Sequence, residues 1–157
     1  MAMCDGIALA CSELPLELIE RHGLGRRVHE RGGEREIRFL YRDRQPLLPV
    51  WHEGRLLVVR WGNRRGQSKG LPRCGWTKQT TVEAGYWEHS GAAAVDIPAT
   101  LGLLNGVWFQ IVQGIRGLLT ADGRGEPAAY MICEPASHYF QVMTRSGWMP
   151  VLIGERI

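Results

Sequence analysis

The chain has 157 residues, 45% hydrophobic and 22% charged, with a formal net charge of +3 at pH 7. That length supports one packed domain and is too short for two of ordinary size, so a single domain over residues 1–157 is expected. No stretch approaches the roughly 20 apolar residues of a membrane span, and no basic segment leads into a secretory apolar run, so a cytoplasmic protein without membrane contact is expected.

An opening strand is predicted over residues 5–10. Ser12 as N-cap, Pro15 in the first turn and the apolar Leu14, Leu16, Leu18 and Ile19 predict a short helix ending near Gly23. The Gly- and Arg-rich stretch 23–33 predicts a loop. Ile37, Phe39 and Tyr41 alternate and predict a strand over 36–41, followed by a proline-bounded extended segment over 45–51. His52-Glu53-Gly54 predicts a hairpin turn into a buried strand over 55–61. Residues 62–91 lose all periodicity, with Trp76, Tyr86 and Trp87 as isolated anchors; a loop of that length is functional or disordered. Extended structure resumes at 95–99, a strong strand is predicted over 106–115, and a turn at Asp122-Gly123 precedes a strand over 128–133. A helix of one or two turns over 135–143 and a strand over 148–153 complete the chain. Many short strands, few helices and no alternation of strand and helix predict an α+β domain built on a mostly antiparallel, barrel-like sheet.

No strand is followed by a glycine-rich phosphate loop, so no nucleotide cofactor is expected. Four cysteines, at 4, 11, 74 and 133, form no C-x-x-C pair, and no H-E-x-x-H motif is present. They read as free thiols, and no metal is expected. Of the 19 basic residues only Lys69 and Lys78 are lysine, and arginine favours bidentate phosphate contacts and stacking. One cluster, Arg26, Arg27, Arg31, Arg35 and Arg38, is interspersed with Glu30, Glu34 and Glu36 and reads as a solvated face. The other, Arg60, Arg64, Arg65, Lys69, Arg73 and Lys78, contains Trp61 and Trp76 and no acid between Arg55 and Glu83. Positive charge interleaved with aromatics suits a groove for single-stranded nucleic acid.

Cys4 follows Met3, so loss of the chain through Met3 would make it N-terminal. A thiol and a free amine on one residue condense with an aldehyde to a thiazolidine, which an internal cysteine cannot form. The alternative is a small buried hydrophobe at the start of a strand.

The order of several fragments resembles the SRAP (SOS-response-associated peptidase) family. They are Met3-Cys4-Asp5-Gly6, Pro46 to Trp51 ahead of Arg60-Trp61-Gly62, Ile97-Pro98-Ala99 followed by Trp108, and Met149-Pro150-Val151-Leu152. The resemblance spans nearly the whole chain and implies a barrel-like α+β fold, single-stranded DNA as partner, and covalent capture of abasic sites through a processed N-terminal cysteine, with possible self-removal of the methionine. The chain is shorter than usual for the family, which suits a phage-related variant. It lacks the family's Asn-Ala-Arg-x-Glu segment, has Asn105 where a glutamate is expected, and has no histidine before Met149. Asn105 to orient the aldehyde, Glu83 as general acid or base and His138 from the last helix are candidate substitutes. A turn residue, a solvated acid and a helix-surface histidine are the alternatives. Cys4 is thus expected in a concave, partly open site near these residues and Arg60, with Arg60, Trp61, Arg64, Arg65, Trp76 and Lys78 lining the nucleic-acid groove. A binding module with a structural Cys4, and a cysteine hydrolase using internal Cys4 or Cys74, are the rival readings.

Overall fold

The computed structural model describes residues 2–154, and two sheets organise them. The first has five antiparallel strands: β1 (Gly6–Ala10), β2 (Val28–Arg31), β3 (Glu34–Leu40), β8 (Leu101–Leu104) and β9 (Val107–Gln110), in the spatial order β2-β3-β1-β8-β9. The second contains β4 (Leu47–His52), β5 (Arg55–Trp61), β6 (Trp76–Lys78), β7 (Ala93–Ile97), β10 (Ile115–Ala121), β11 (Pro127–Pro135) and β12 (Trp148–Pro150). Its order β10-β7-β4-β5-β11 closes on itself, because β11 also pairs with β10. Closure removes the exposed edges that an open sheet would leave. Three short helices, α1 (Leu16–Arg21), α2 (Gln79–Glu83) and α3 (His138–Thr144), complete this α+β, mostly β architecture.

β11 places the basic segment. One of its edges takes β5 at Ala128 and Ala129 and then β6 at Met131 to Cys133, both parallel; the other takes β10 and then β12, both antiparallel. The basic segment 62–75 therefore leaves and rejoins a single line of strand. Its neck is pinched where Asn63 N donates to Cys74 O at 3.1 Å and Gly62 N to Ala129 O at 2.8 Å.

The predicted strands at 5–10, 36–41, 45–51, 55–61 and 128–133 form within a residue or two at most ends. Pro49 sits inside β4 without costing a ladder bond, since β4 meets β7 only at Trp51 and Asp96. The long strand predicted over 106–115 is instead half a hairpin: Asn105 (φ 51°) and Gly106 (φ 78°) make the tight turn between β8 and β9. Residues 23–33 are not a loop, because Gly32 and Gly33 turn β2 onto β3. Ser12 lies in a 3₁₀ turn and caps nothing; α1 starts after Pro15. Within 62–91, β6 and α2 form because Trp76 and Thr77 pack inward against β11.

Two arginines of the first cluster are neutralised within it. Arg31 and Arg38 both donate to the Glu36 carboxylate, at 2.9 Å through Nε, and their guanidiniums lie 4.8 and 5.1 Å from the centre of the Trp108 ring. Burial pulls the Glu36 carboxyl upward, but the hydrogen bonds and charges of Arg31 and Arg38 outweigh it and hold the group below its ordinary range. A carboxylate depressed on folding stabilises above its unfolded pKa of about 4.3, and that contribution is lost as pH falls through the folded value. Glu36→Ala is expected to cost about 2 to 3 kcal/mol at pH 7 and progressively less as pH falls below about 4, because the unmodified chain then loses the same ion pairs as its carboxylate is protonated. Urea denaturation across that pH range reads the difference, and a pH-independent loss would contradict the assignment.

Candidate functional site

A cleft of about 280 Å³ opens beside the start of β4 and the end of β5, lined by Arg44, Gln45, Pro46, Leu47, Arg60, Trp61, Arg64, Arg65, Gln67 and Glu126. Its walls follow from the hairpin register. The turn at Glu53 and Gly54 pairs Leu47 with Arg60, so the residues before 47 face those after 60; Trp61 N donates to Pro46 O at 2.8 Å. Arg44 thus arrives opposite the basic loop. Reading the hairpin outward from its predicted turn would have found it, but the intervening Asp43 makes that stretch look like a plain connector.

The basic residues of the cleft do different things. Arg60 reaches across the floor: its Nε donates to Gly62 O at 2.8 Å, its Nη2 to Ser68 Oγ, and its Nη1 is buried without a hydrogen-bond partner among the described residues, with Glu126 Oε1 at 3.4 Å. Ser68 in turn donates to Asp122 Oδ2 at 2.7 Å, and Asn63 holds Ser68 through both its amide atoms. These bonds make the loop a rigid wall. Arg64 is a clamp, donating to the carbonyl oxygens of Tyr41 and Asp43, the latter at 2.8 Å, with its guanidinium 5.3 Å from the Tyr41 ring centre. Arg65 and Arg44 are exposed and unclaimed by any hydrogen bond or ion pair among the described residues.

Trp61 and Trp76 are core residues. Trp61 is fully buried and donates to Gly75 O at 3.0 Å; Trp76 donates to Cys4 O at 3.1 Å, and both rings pack with Tyr41. Neither presents a face on which a base could stack, so the expected aromatic platform is absent. Lys78 lies outside the cleft with its ammonium 4.6 Å from the Trp148 ring centre.

Cys4 is fully buried, where an open concave site was expected. Its thiol donates to Gly6 O at 3.3 Å and to Leu103 O at 3.7 Å. Burial, with the neighbouring Asp5 charge, pushes it up to about 12 against the pull of those two contacts. At neutral pH the buried thiol is protonated. Asn105 comes close, its N–H donating to Asp5 Oδ2 at 2.9 Å, but its side-chain amide is used on Thr144 O at 2.8 Å. Glu83 is exposed at the end of α2 and His138 at the start of α3; among the described residues neither forms a hydrogen bond or ion pair with Cys4 or Asn105. Cys4 is linked to the cleft through its neighbour Asp5: Tyr41 N donates to Asp5 O at 3.0 Å, and Tyr41 O accepts from the Arg64 guanidinium.

No group of three or more His, Cys, Asp or Glu side chains able to hold a metal is found among the described residues, and none of their helices is long and apolar enough to cross a membrane. Comparison with protein-family models, with curated proteins and with solved structures gives no match to this chain.

Proposed function

We propose that the chain binds single-stranded nucleic acid by its phosphate backbone in the arginine cleft. The observation that carries this reading is the convergence of Arg44, Arg60, Arg64 and Arg65 on one concavity that holds, among the described residues, a single carboxylate, Glu126. Four guanidiniums against one acid leave an excess of positive charge where anions are attracted most strongly. A cleft of about 280 Å³ has room for a sugar and a flanking phosphate. Without an aromatic platform, binding should depend strongly on salt and weakly on sequence.

Arg44→Ala and Arg65→Ala are each expected to weaken binding of an oligothymidylate about 3- to 10-fold at low salt and to reduce the salt slope by roughly 0.7 for each phosphate that is no longer neutralised. Arg64→Ala should instead lower stability, because its guanidinium holds two backbone carbonyls. Fluorescence anisotropy over a salt series tests this; unchanged affinity and slope in both exposed-arginine variants would rule out the cleft.

A second reading, that of a SRAP-like trap for abasic sites, draws support from the position of Cys4. Its backbone is pinned to Trp76, Asp5 N donates to Leu103 O at 2.7 Å, and half-buried Ala2 and Met3 pack against the core beside it. Loss of the residues through Met3 removes that cover and creates an amine on Cys4 within two linked residues of Arg64. In this reading the thiol is held protonated until the chain is processed, and the cleft delivers the damaged strand to it.

A further inference from the structure

We infer that Arg60 is the phosphate-recognising residue of the cleft and that the Glu126 carboxylate is an internal anion which an incoming phosphate displaces. The inference rests on the phosphate-binding reading above. The Arg60 side chain is only 10% exposed, while that of Glu126 is 56% exposed. Arg60 spends Nε on Gly62 O and Nη2 on Ser68 Oγ, which leaves Nη1 buried with no hydrogen bond. A buried guanidinium ordinarily has its donors satisfied. Here Glu126 Oε1 stands 3.4 Å from Nη1, within ion-pair distance but without hydrogen-bond geometry. The pair is therefore a loose cover over a fixed cation.

The surroundings separate what is fixed from what can move. Asp122 Oδ1 accepts from the backbone N–H groups of Arg124 at 2.8 Å and Glu126 at 3.0 Å, so the turn between β10 and β11 is braced. Asp122 Oδ2 accepts from the same Ser68 hydroxyl that meets Arg60. Floor and turn are thus tied together, and the exposed Glu126 side chain is left to rotate outward. Nη1 has almost no exposed surface as long as it is covered, so a ligand oxygen reaches it by taking the place of the carboxylate. An anion can make that exchange and keep the buried charge compensated; an uncharged ligand would leave Arg60 only the more distant Asp122, beyond Ser68, as counter-charge. A backbone phosphodiester carries the same single charge on two oxygens but, free of the Glu126 tether, can align one of them with the N–H that the carboxylate leaves open.

The test measures oligothymidylate binding by fluorescence anisotropy at low and high salt, with inorganic phosphate as competitor, for the unmodified chain, Glu126→Gln, Arg60→Lys and the double variant. Glu126→Gln alters an exposed side chain and leaves the fold intact. It is expected to tighten binding about 3- to 10-fold at low ionic strength, to lose most of that gain at high salt, and to make inorganic phosphate a better competitor. The gain should disappear in the Arg60→Lys background, because lysine lacks the fork that presents Nη1. An equal gain in that background would show a general charge effect and overturn the assignment to Arg60. Unchanged affinity in Glu126→Gln while Arg65→Ala still weakens binding would overturn the displacement and leave the phosphate-binding cleft standing. If neither variant alters binding, both readings fall.

Discussion

A chain that begins at Cys4 is expected to form a heat-stable adduct with single-stranded DNA carrying an abasic site, whereas a chain retaining Met3, and a Cys4→Ala chain, form none. The amine condenses with the ring-opened aldehyde and releases water, and the thiol then adds across the imine carbon to close a thiazolidine. With Met3 in place there is no amine on Cys4, and burial holds the thiol up to about 12. Freed from Ala2 and Met3, the residue carries an α-amine with a pKa of about 8, a fraction of it unprotonated near neutrality. The main-chain bonds of Asp5 to Leu103 and Tyr41, and the bond from the Trp76 indole N–H to Cys4 O, do not involve the removed residues. The processed chain should therefore fold. A cleavable leader ending directly before Cys4 provides it, and denaturing gel electrophoresis reads the result. A folded, Cys4-initiated protein that binds abasic DNA yet shows no shifted band would end the covalent reading and leave a binding module.

Gly62→Ala is expected to be the most damaging single-methyl change in the basic segment. Gly62 has φ 68°, and a Cβ there would overlap the Cys74 carbonyl oxygen and stand 2.7 Å from Gly75 Cα. Both obstacles are backbone at the pinched neck where β5 ends and β6 begins, so neither can swing aside. Left-handed strain together with forced separation of two strand ends costs roughly 3 to 5 kcal/mol, a large share of a typical domain's stability of about 5 to 15 kcal/mol. Gly70→Ala is the control: it shares a positive φ, 89°, but a Cβ there meets nothing within 4 Å, and only about 1 kcal/mol of backbone strain is expected. Thermal and urea denaturation compare the two. Equal losses would mean that the neck is not the constraint described.

The sequence-level fragment Arg60-Trp61-Gly62 acquires three separate physical meanings in the fold. Arg60 is the cleft floor, Trp61 a core side chain whose indole bonds Gly75 O, and Gly62 the left-handed pinch. Only the glycine's role is open to reading from residue type. Asn105-Gly106 is the converse case: the dipeptide is a strong local hairpin signal, and the fold uses it as one, while the Asn105 side-chain amide is spent on Thr144 O, a partner that no local pattern announces.

What the sequence determined by itself was local. Alternation placed the strand around Ile37 and Phe39, an unbroken apolar run placed the one around Val58 and Val59, and turn chemistry placed the reversal at Glu53 and Gly54. The stretch from Leu56 to Val82, free of acids, marked the segment that carries the cleft. These signals need only neighbouring residues, because period and turn geometry are properties of short pieces of chain. The tertiary structure decided which aromatics are core, which arginines are clamps and which remain available, that Arg44 and Glu126 enter the cleft, and that Cys4 is covered. Each of these depends on contacts between distant segments, above all the parallel pairing of β5 and β6 along one edge of β11. A side chain's partner and its access to water are set by what is packed over it, and a spacing pattern carries no record of that.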